Sequence, residues 1–158
     1  MLMNKIQLPK KAEIQRKIGV KFDKNDRYIY YTKQDIVIFF GSIIIVIPKG
    51  FQYDGVSRPY NMEEDYYDVL FGLIHDYGYK TQFIPARAFW DSFALVIYSV
   101  AAENSKTIGK KIKYLFRKYA YYATVRLFAF ISWSNNKGNL QRYANAKAKA
   151  CKLMCRRK

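Results

Sequence analysis

Two short apolar runs separated by a Gly-Ser pair constrain the fold of this chain more than any other feature of its sequence. Ile36–Phe40 and Ile43–Ile47 are entirely apolar, and Gly41 and Ser42 lie between them. Each run has the length of a typical strand, and glycine in the first central position suits a two-residue turn. The pattern predicts a β-hairpin whose last strand ends at Pro48. Both runs together are too short to cross a bilayer.

The residues on either side of this hairpin extend the pattern into an α+β fold. Arg27–Thr32 is aromatic and β-branched, which predicts a further strand. After Tyr60 the apolar residues recur every three or four positions, which predicts helices. We therefore expect a small antiparallel β-sheet of about three strands followed by about four helices. The expected helices begin near Glu63, follow Pro85, run from about Thr107 to Ser134, and run from about Leu140 to Cys155.

The third of these helices carries an apolar stripe that we expect to face the core. Its members recur at helical spacing, and they are Ile108, Ile112, Leu115, Phe116, Tyr119, Leu127 and Phe130. Basic residues alternate with aromatic residues along the same helix, and nucleic acids bind where bases stack on exposed rings and basic side chains neutralise phosphates. The candidate nucleic-acid-binding residues are Lys110, Lys111, Lys113, Arg117 and Lys118 on this helix, and Lys147, Lys149, Arg156 and Arg157 beyond it.

Charge is distributed unevenly along the chain. Residues 104–158 contain fifteen lysines and arginines and no acidic residue, whereas residues 54–103 contain three basic and eight acidic residues. The net charge of +16 exceeds what solubility requires, so we expect a polyanionic partner. The alternative is a solvated surface with a basic tail. We expect one domain over residues 1–158, made of an N-terminal basic arm (1–24), a motif-bearing core (25–137) and a basic C-terminal helix (138–158).

Two short motifs collect the polar side chains suited to chemistry. Asp54 and Ser57 follow the last predicted strand, where a rigid sheet presents loop side chains. His75, the only histidine, lies on the first predicted helix. Because residues four apart on a helix share a face, we expect His75 and Tyr79 to lie together. The candidate catalytic residues are Asp54, Ser57, His75, Asp76 and Tyr79, and Asp91 follows on the next helix.

The two motifs resemble those of a known family. The first reads Gly-Phe-x-x-Asp-Gly-x-Ser over residues 50–57, and the second reads His-Asp-Tyr-x-Tyr over residues 75–79. Together they resemble domain-of-unknown-function family 1353, which phages and prophages encode. The resemblance covers about residues 27–133 and brings no established reaction. It implies a phage origin and a functional set made of Asp54, Ser57, His75, Asp76 and Tyr79.

Four interpretations of these residues remain open, one of which is the binding of a small ligand. In a metal site, a divalent ion with an open coordination position activates water for hydrolysis, and Tyr79 donates a hydrogen bond to a developing oxyanion. The metal ligands would be Asp54, His75, Asp76 and Asp91. In a nucleophilic site, Ser57 attacks with His75 as its base and an aspartate as the orienting group. In a structural lock, the same polar groups only fasten the loop to the helix.

These features predict a small basic accessory protein of phage origin, located in the virion or in the host cytoplasm, with a site of metal-assisted hydrolytic character. The alternative is a non-catalytic structural virion component or a nucleic-acid-binding protein in which the motif is a structural lock. The expected partners are other phage proteins or nucleic acid at the basic C-terminal region, and self-association remains open. Residues 1–11 lack the apolar core of a signal peptide. No stretch reaches about 18 uninterrupted apolar residues, so we expect neither secretion nor a membrane partner.

Overall fold

The computed structural model describes residues 6–25, 28–55 and 65–135. Within these ranges the chain forms six strands and six helices, so the predicted α+β class is confirmed. The strands are β1 (Ile6–Gln7), β2 (Ile18–Phe22), β3 (Tyr28–Thr32), β4 (Ile36–Phe40), β5 (Ile43–Ile47) and β6 (Gln52–Tyr53). The helices are α1 (Lys11–Lys17), α2 (Tyr66–Thr81), α3 (Arg87–Asp91), α4 (Phe93–Glu103), α5 (Ile108–Phe128) and α6 (Phe130–Asn135).

The strands form two antiparallel sheets of three strands each, in the orders β1-β4-β5 and β2-β3-β6. The predicted hairpin is confirmed, because β4 and β5 pair from Ile36 opposite Ile47 to Phe40 opposite Ile43. Gly41 in its turn has a φ of 61°. The sequence did not reveal a second sheet, because the predicted strand β3 pairs with β2, which lies in the predicted basic arm, and with β6, which has only two residues and leaves no periodic pattern.

Residues 6–22 lie in the region that we assigned to a basic arm, and they form β1, α1 and β2. Ile14 on α1 and Ile18 at the start of β2 are buried in the core. The Tyr66 hydroxyl of α2 donates a hydrogen bond to the Pro9 carbonyl. Apolar and basic residues are mixed here without a clear period, so the pattern did not predict these elements. Residues 6–22 are therefore packed against the core.

A buried threonine joins the two sheets. The Thr32 N–H donates to the Phe51 carbonyl at 3.0 Å, and the Thr32 carbonyl accepts from the Gly50 N–H at 2.7 Å. The Thr32 hydroxyl donates to the Pro48 carbonyl at 2.6 Å and accepts from the Phe51 N–H at 2.9 Å. Gly50 has a φ of 82°, which residues with a side chain rarely adopt. These bonds fix the turn that leads into β6 and toward Asp54.

Helix α2 begins with a capping box and runs through the core. The Asp65 carboxylate accepts hydrogen bonds from the N–H groups of Tyr67 and Asp68, while the Asp68 carboxylate accepts from the Asp65 N–H. Acidic residues at this end also suit the positive end of the helix dipole. Leu70, Phe71, Leu73 and Ile74 are buried along the helix.

Near its other end, α2 approaches α3 closely. A Cβ atom on Gly78 would lie 2.0 Å from the Trp90 ring, so only glycine allows this approach. Trp90 is fully buried, and its indole N–H donates to the Ile84 carbonyl at 2.8 Å. The contact places the residues that follow, Tyr79 and Asp91, against each other.

Helix α5 turns a different face to the core from the one that we predicted. The buried residues are Arg117, Tyr121 and Val125. The predicted core residues are exposed, namely Ile108, Ile112, Leu115, Phe116, Tyr119 and Leu127, and the side chain of Phe130 lies outside the described residues. Periodicity identifies an apolar face but not the direction in which it points. The buried ion pairs of Arg117, described below, fix that direction.

Two predicted helices are each divided in the structure. The helix expected after Pro85 becomes α3 and α4, with Ser92 between them. The helix expected up to Ser134 becomes α5 and α6, with Ala129 between them. The last predicted helix, from about Leu140 to Cys155, lies outside the described residues. Within the described ranges, none of the helices combines the length and the apolar composition needed to cross a membrane.

Candidate functional site

Strand β6 and helix α2 bring the two sequence motifs together. Asp54 follows β6 directly and is exposed, and Gly55 after it has a φ of 80°. The Lys80 ammonium of α2 donates to the Gln52 carbonyl of β6 at 2.8 Å and lies 5.4 Å from the centre of the Phe51 ring. This contact holds the end of β6 against the last turns of α2, which carry the second motif.

His75 lies between two carboxylates and against a tyrosine ring. Its Nδ1 is 3.4 Å from Asp76 Oδ1, and its Nε2 is 3.8 Å from Asp91 Oδ1. The Tyr79 and His75 rings have centroids 4.0 Å apart, which confirms that they share a helix face. The Nε2 atom is buried and has no hydrogen-bond partner in the part of the chain that the structure describes. His75 is therefore held in place between Asp76 and Asp91, with its Nε2 enclosed on the Asp91 side.

Asp76 is a buried carboxyl beside an exposed one. Burial raises the pKa of Asp76 to about 6, the Asp54 carboxyl adds to the rise, and His75 opposes it. Its Oδ2 is buried, and no hydrogen-bond donor among the described residues reaches it. A carboxyl with this pKa exchanges its proton close to neutral pH. The pair therefore consists of two acids in unequal surroundings.

Two clefts open at this carboxyl pair. One has a volume of about 380 Å³ and is lined by Asp54, His75 and Asp76 together with apolar residues of α2 and α5. The other has a volume of about 330 Å³ and is lined by Asp54, Asp76 and Lys80, among others. Both aspartates line both clefts, so a ligand in either one meets the pair.

Asp91 is the centre of a buried network that adjoins the site. The Tyr79 hydroxyl donates to its Oδ1 at 2.6 Å, and Arg126 Nη1 donates to its Oδ2 at 3.2 Å. Arg87 Nε lies 3.5 Å from the same Oδ2, and Arg87 Nη2 donates to the Arg126 carbonyl at 3.0 Å. Burial raises the pKa of Tyr79, and its bond to Asp91 adds to the rise. Tyr79 therefore remains a protonated donor at physiological pH.

The structure does not support the predicted metal site. Among residues 6–25, 28–55 and 65–135, no group of three or more histidine, cysteine or acidic side chains is arranged to hold a metal ion. Both oxygens of Asp91 are already bonded to Tyr79 and to arginines, while the other predicted ligands face the clefts. The four predicted ligands are thus divided between a buried network and an open site.

Arg117 lies in a second ionic cluster, so its prediction as a nucleic-acid-binding residue was wrong. Its side chain is 2% exposed, and its Nη1 donates to Asp68 Oδ2 at 2.5 Å and to Asp65 Oδ2 at 2.9 Å. The Tyr98 hydroxyl donates to Asp68 Oδ1 at 2.6 Å. Burial raises the pKa of Asp68, although the Tyr98 bond opposes the rise. These aspartates lie 52 and 49 positions away in the chain, so the sequence around Arg117 did not reveal them.

The remaining predicted residues lie on the surface or outside the described ranges. Lys110, Lys111 and Lys113 are exposed on α5, and Lys118 is half-buried there. Lys113 Nζ also lies 3.8 Å from Asp65 Oδ2. The predictions that lie outside the described residues are Ser57, Lys147, Lys149, Arg156 and Arg157. The nucleophilic interpretation, which depends on Ser57, therefore stays a prediction.

Comparison with known proteins identified no relative of this chain. We found no match to the chain among family models, curated proteins or solved structures. The resemblance to domain-of-unknown-function family 1353 stays a prediction that depends on the two short motifs. Function has to be inferred from the geometry of the site.

Proposed function

We propose that this chain is a phage-encoded accessory protein, located in the virion or in the host cytoplasm, that hydrolyses a polymer. Its acid–base site consists of Asp54, His75 and Asp76. The observation that carries this proposal is that the three side chains line one open cleft of about 380 Å³. The proposed phage origin is supported by the motif resemblance, and the proposed acid–base site is supported by the geometry of these side chains.

The two carboxyls suit the two halves of a hydrolytic proton transfer. Burial raises the pKa of Asp76 to about 6, so near neutral pH it holds a proton part of the time and donates it to a leaving group. Asp54 is exposed to the cleft and accepts a proton from the attacking water. Acid and base roles commonly separate in this way when two carboxyls have unequal surroundings.

His75 is the positioning residue of the site. Its Nδ1 contacts Asp76, and the Tyr79 ring packed on its imidazole restricts its rotation. Its buried Nε2 lies 3.8 Å from Asp91 Oδ1, which connects the site to the neighbouring Asp91 network. The net charge of +16 favours polyanionic substrates by raising their local concentration.

The test measures release of soluble fragments from purified bacterial cell wall, single-stranded DNA, double-stranded DNA and RNA. We expect the wild type to cut one of these classes, and Asp76→Asn and Asp54→Asn to lower the rate by about 100-fold or more, the usual contribution of a general acid or base. Asparagine keeps the shape of the side chain, so both variants should fold. Glu103→Gln, at an exposed acid of α4, is the matched control and should leave the rate unchanged.

Thermal melts of the same proteins separate chemistry from folding. Failure of the wild type to cut any of the four substrates, or equal rates for the wild type and Asp76→Asn, contradicts the proposal. If the wild type is inactive and His75→Ala melts far below it, the motif is a structural lock.

A second function, non-catalytic binding of nucleic acid or of an acidic phage protein, is favoured by the exposed lysines of α5. Lys110 and Lys111 are exposed, and residues 104–158 contain no acidic residue. We expect DNA affinity that falls steeply with salt, because bound lysines release counterions. Lys110→Glu combined with Lys111→Glu should weaken binding, and Lys21→Glu on β2 is the control. Affinity that ignores ionic strength contradicts this function.

A further inference from the structure

The side of α5 that faces solvent is apolar. Apolar side chains of this size normally lie inside a protein, yet here they are between 44% and 78% exposed. From Ile108 to Tyr119 each member is three or four residues from another, and Leu127 follows eight residues, about two turns, after Tyr119. All of them therefore lie on one side of the helix, away from buried Arg117 and Tyr121. We call this stripe the outer α5 face, and it consists of Ile108, Ile112, Leu115, Phe116, Tyr119 and Leu127.

Lysines border the outer α5 face on both sides. By helical spacing, Lys111 and Lys118 lie along one edge and Lys113 along the other. The Lys118 ammonium lies 5.2 Å from the centre of the Tyr119 ring. Lys113 contacts Asp65 at 3.8 Å and is still 45% exposed. Since α5 itself contains no acidic residue, the borders of the stripe present positive charge.

An apolar stripe with lysines along both edges favours some classes of partner over others. A second copy docked through the same face would place lysines opposite lysines, which costs free energy. Nucleic acid would neutralise the lysines but leave the isoleucines and leucines of the stripe in water. A helix with an apolar stripe bordered by aspartate and glutamate meets both needs, because it buries the apolar side chains and pairs the lysines.

We infer that the outer α5 face binds an acidic amphipathic helix of another protein. Phe116 and Tyr119, near the middle of the stripe, serve as the aromatic anchors that commonly dominate binding energy. The border lysines steer the acidic partner and fix its register. The stripe residues do not line the cleft of Asp54, His75 and Asp76, so this inference is independent of the proposed hydrolytic function.

The test titrates the full chain into three fluorescent synthetic peptides of 21 residues, the length of α5. The first is an amphipathic helix with a leucine stripe bordered by glutamates. The second has lysine in place of every glutamate, and the third has the composition of the first in an order without a stripe. By fluorescence anisotropy, we expect the first to bind at least about tenfold more tightly than either of the others.

Paired variants locate the binding on the stripe. Ile112→Ser combined with Phe116→Ser should weaken binding of the acidic helix by about tenfold or more. Val20→Ser combined with Phe22→Ser is the matched control, because both residues are exposed on β2, and should leave binding unchanged. All four substitutions are at exposed positions, so thermal melts should show folded proteins.

A charge reversal tests the border. Lys111→Glu combined with Lys118→Glu should transfer the preference from the acidic helix to the basic one. Equal binding of the three peptides overturns the inference. A homodimer in sedimentation that Phe116→Ser dissociates assigns the face to a second copy instead. Tighter binding to oligothymidine or to phosphatidylserine vesicles than to the acidic helix assigns it to those ligands.

Discussion

Two buried aspartates, Asp68 and Asp91, have the same kinds of partner in different surroundings. Both carboxylates are fully buried. Asp68 accepts a hydrogen bond of 2.6 Å from the Tyr98 hydroxyl, and Asp91 accepts one of 2.6 Å from the Tyr79 hydroxyl. Each also pairs with an arginine of α5. Both clusters connect α5 to the helices that pack against it.

The two clusters differ in how far their cations reach toward solvent. Arg117, which pairs with Asp68, is 2% exposed, whereas Arg126, which pairs with Asp91, is 39% exposed. His75 contributes a further neighbour to Asp91 and also lines the cleft. Breaking a fully buried pair strands a charge, while an exposed partner is readily replaced by water. The Asp68 cluster is therefore enclosed and only joins helices, whereas the Asp91 cluster also supports the open cleft beside His75.

The largest effect should come from removing the arginines one at a time. Arg117→Met leaves the buried carboxylate of Asp68 unpaired, and we expect it to lower the free energy of unfolding by about 3–5 kcal/mol. Arg126→Met should lower it by about 1 kcal/mol, because Arg126 reaches solvent and Arg87 still pairs with Asp91. Urea unfolding of the two variants checks the difference. Equal losses would remove the contrast between the clusters.

A substitution at the close approach of α2 and α3 should disturb only the Asp91 cluster. Gly78→Ala forces a methyl group into the Trp90 ring, and we expect a loss of about 3 kcal/mol from overpacking. Gly109→Ala on α5 is the control, since a Cβ there meets nothing within 4 Å, and should be neutral or stabilising. NMR spectra of Gly78→Ala should show shifts at Tyr79 and little change at Tyr98. Equal shifts at both would contradict the separation of the clusters.

The tyrosine hydroxyls offer a matched comparison. Tyr98→Phe and Tyr79→Phe each remove one 2.6 Å bond to a buried carboxylate, so we expect similar losses of about 2 kcal/mol. Tyr119→Phe, at an exposed position, should change stability by less than about 0.5 kcal/mol. Thermal unfolding of the three variants measures these values. If Tyr98→Phe lowers the free energy of unfolding several times more than Tyr79→Phe does, the Asp91 cluster depends on its tyrosine hydroxyl much less than the Asp68 cluster does.

The smallest effect should appear as a pH dependence of the open site. Burial raises the pKa of Asp76 to about 6, from 3.8, so the folded protein binds its proton more tightly than the unfolded chain between these values. Stability from this group is therefore present at low pH and lost as pH rises through 6. Between pH 5 and 7.5 the wild type should lose about 1 kcal/mol more than Asp76→Asn. Parallel curves for the two proteins would show that Asp76 does not titrate in this range.

The parts of the fold that the sequence predicted are those with local patterns. The hairpin around Gly41 and the helical pattern of α2 depend on residues close together in the chain, so periodicity and turn chemistry suffice. The shared face of His75 and Tyr79 follows from helical spacing in the same way. The metal-site and structural-lock interpretations assumed that Asp54 meets this helix, and the structure places Asp54 and His75 at one cleft.

The missed features depend on distant partners. Thr32, Arg87 and Arg126 carry no local signal, because each acts through groups contributed by other elements. Our prediction of which side of α5 faces the core was wrong for the same reason. An apolar stripe normally faces the core. Here the ion pairs of Arg117 with Asp65 and Asp68 turn the opposite side of the helix inward. Such reversals are expected where a surface serves binding rather than stability.

The ion pair between Asp65 and Arg117 joins residues 52 positions apart. Closing so long a loop is slow because chain entropy is lost before the contact forms. Helices α4 and α5 follow each other closely in the chain, so we expect their packing to form first. At that stage the Arg117 guanidinium is still hydrated. The guanidinium then sheds its water only when the start of α2 docks, late in folding. Loss of Arg117 should therefore accelerate unfolding far more than it slows folding, which makes this joint a determinant of the lifetime of the native state.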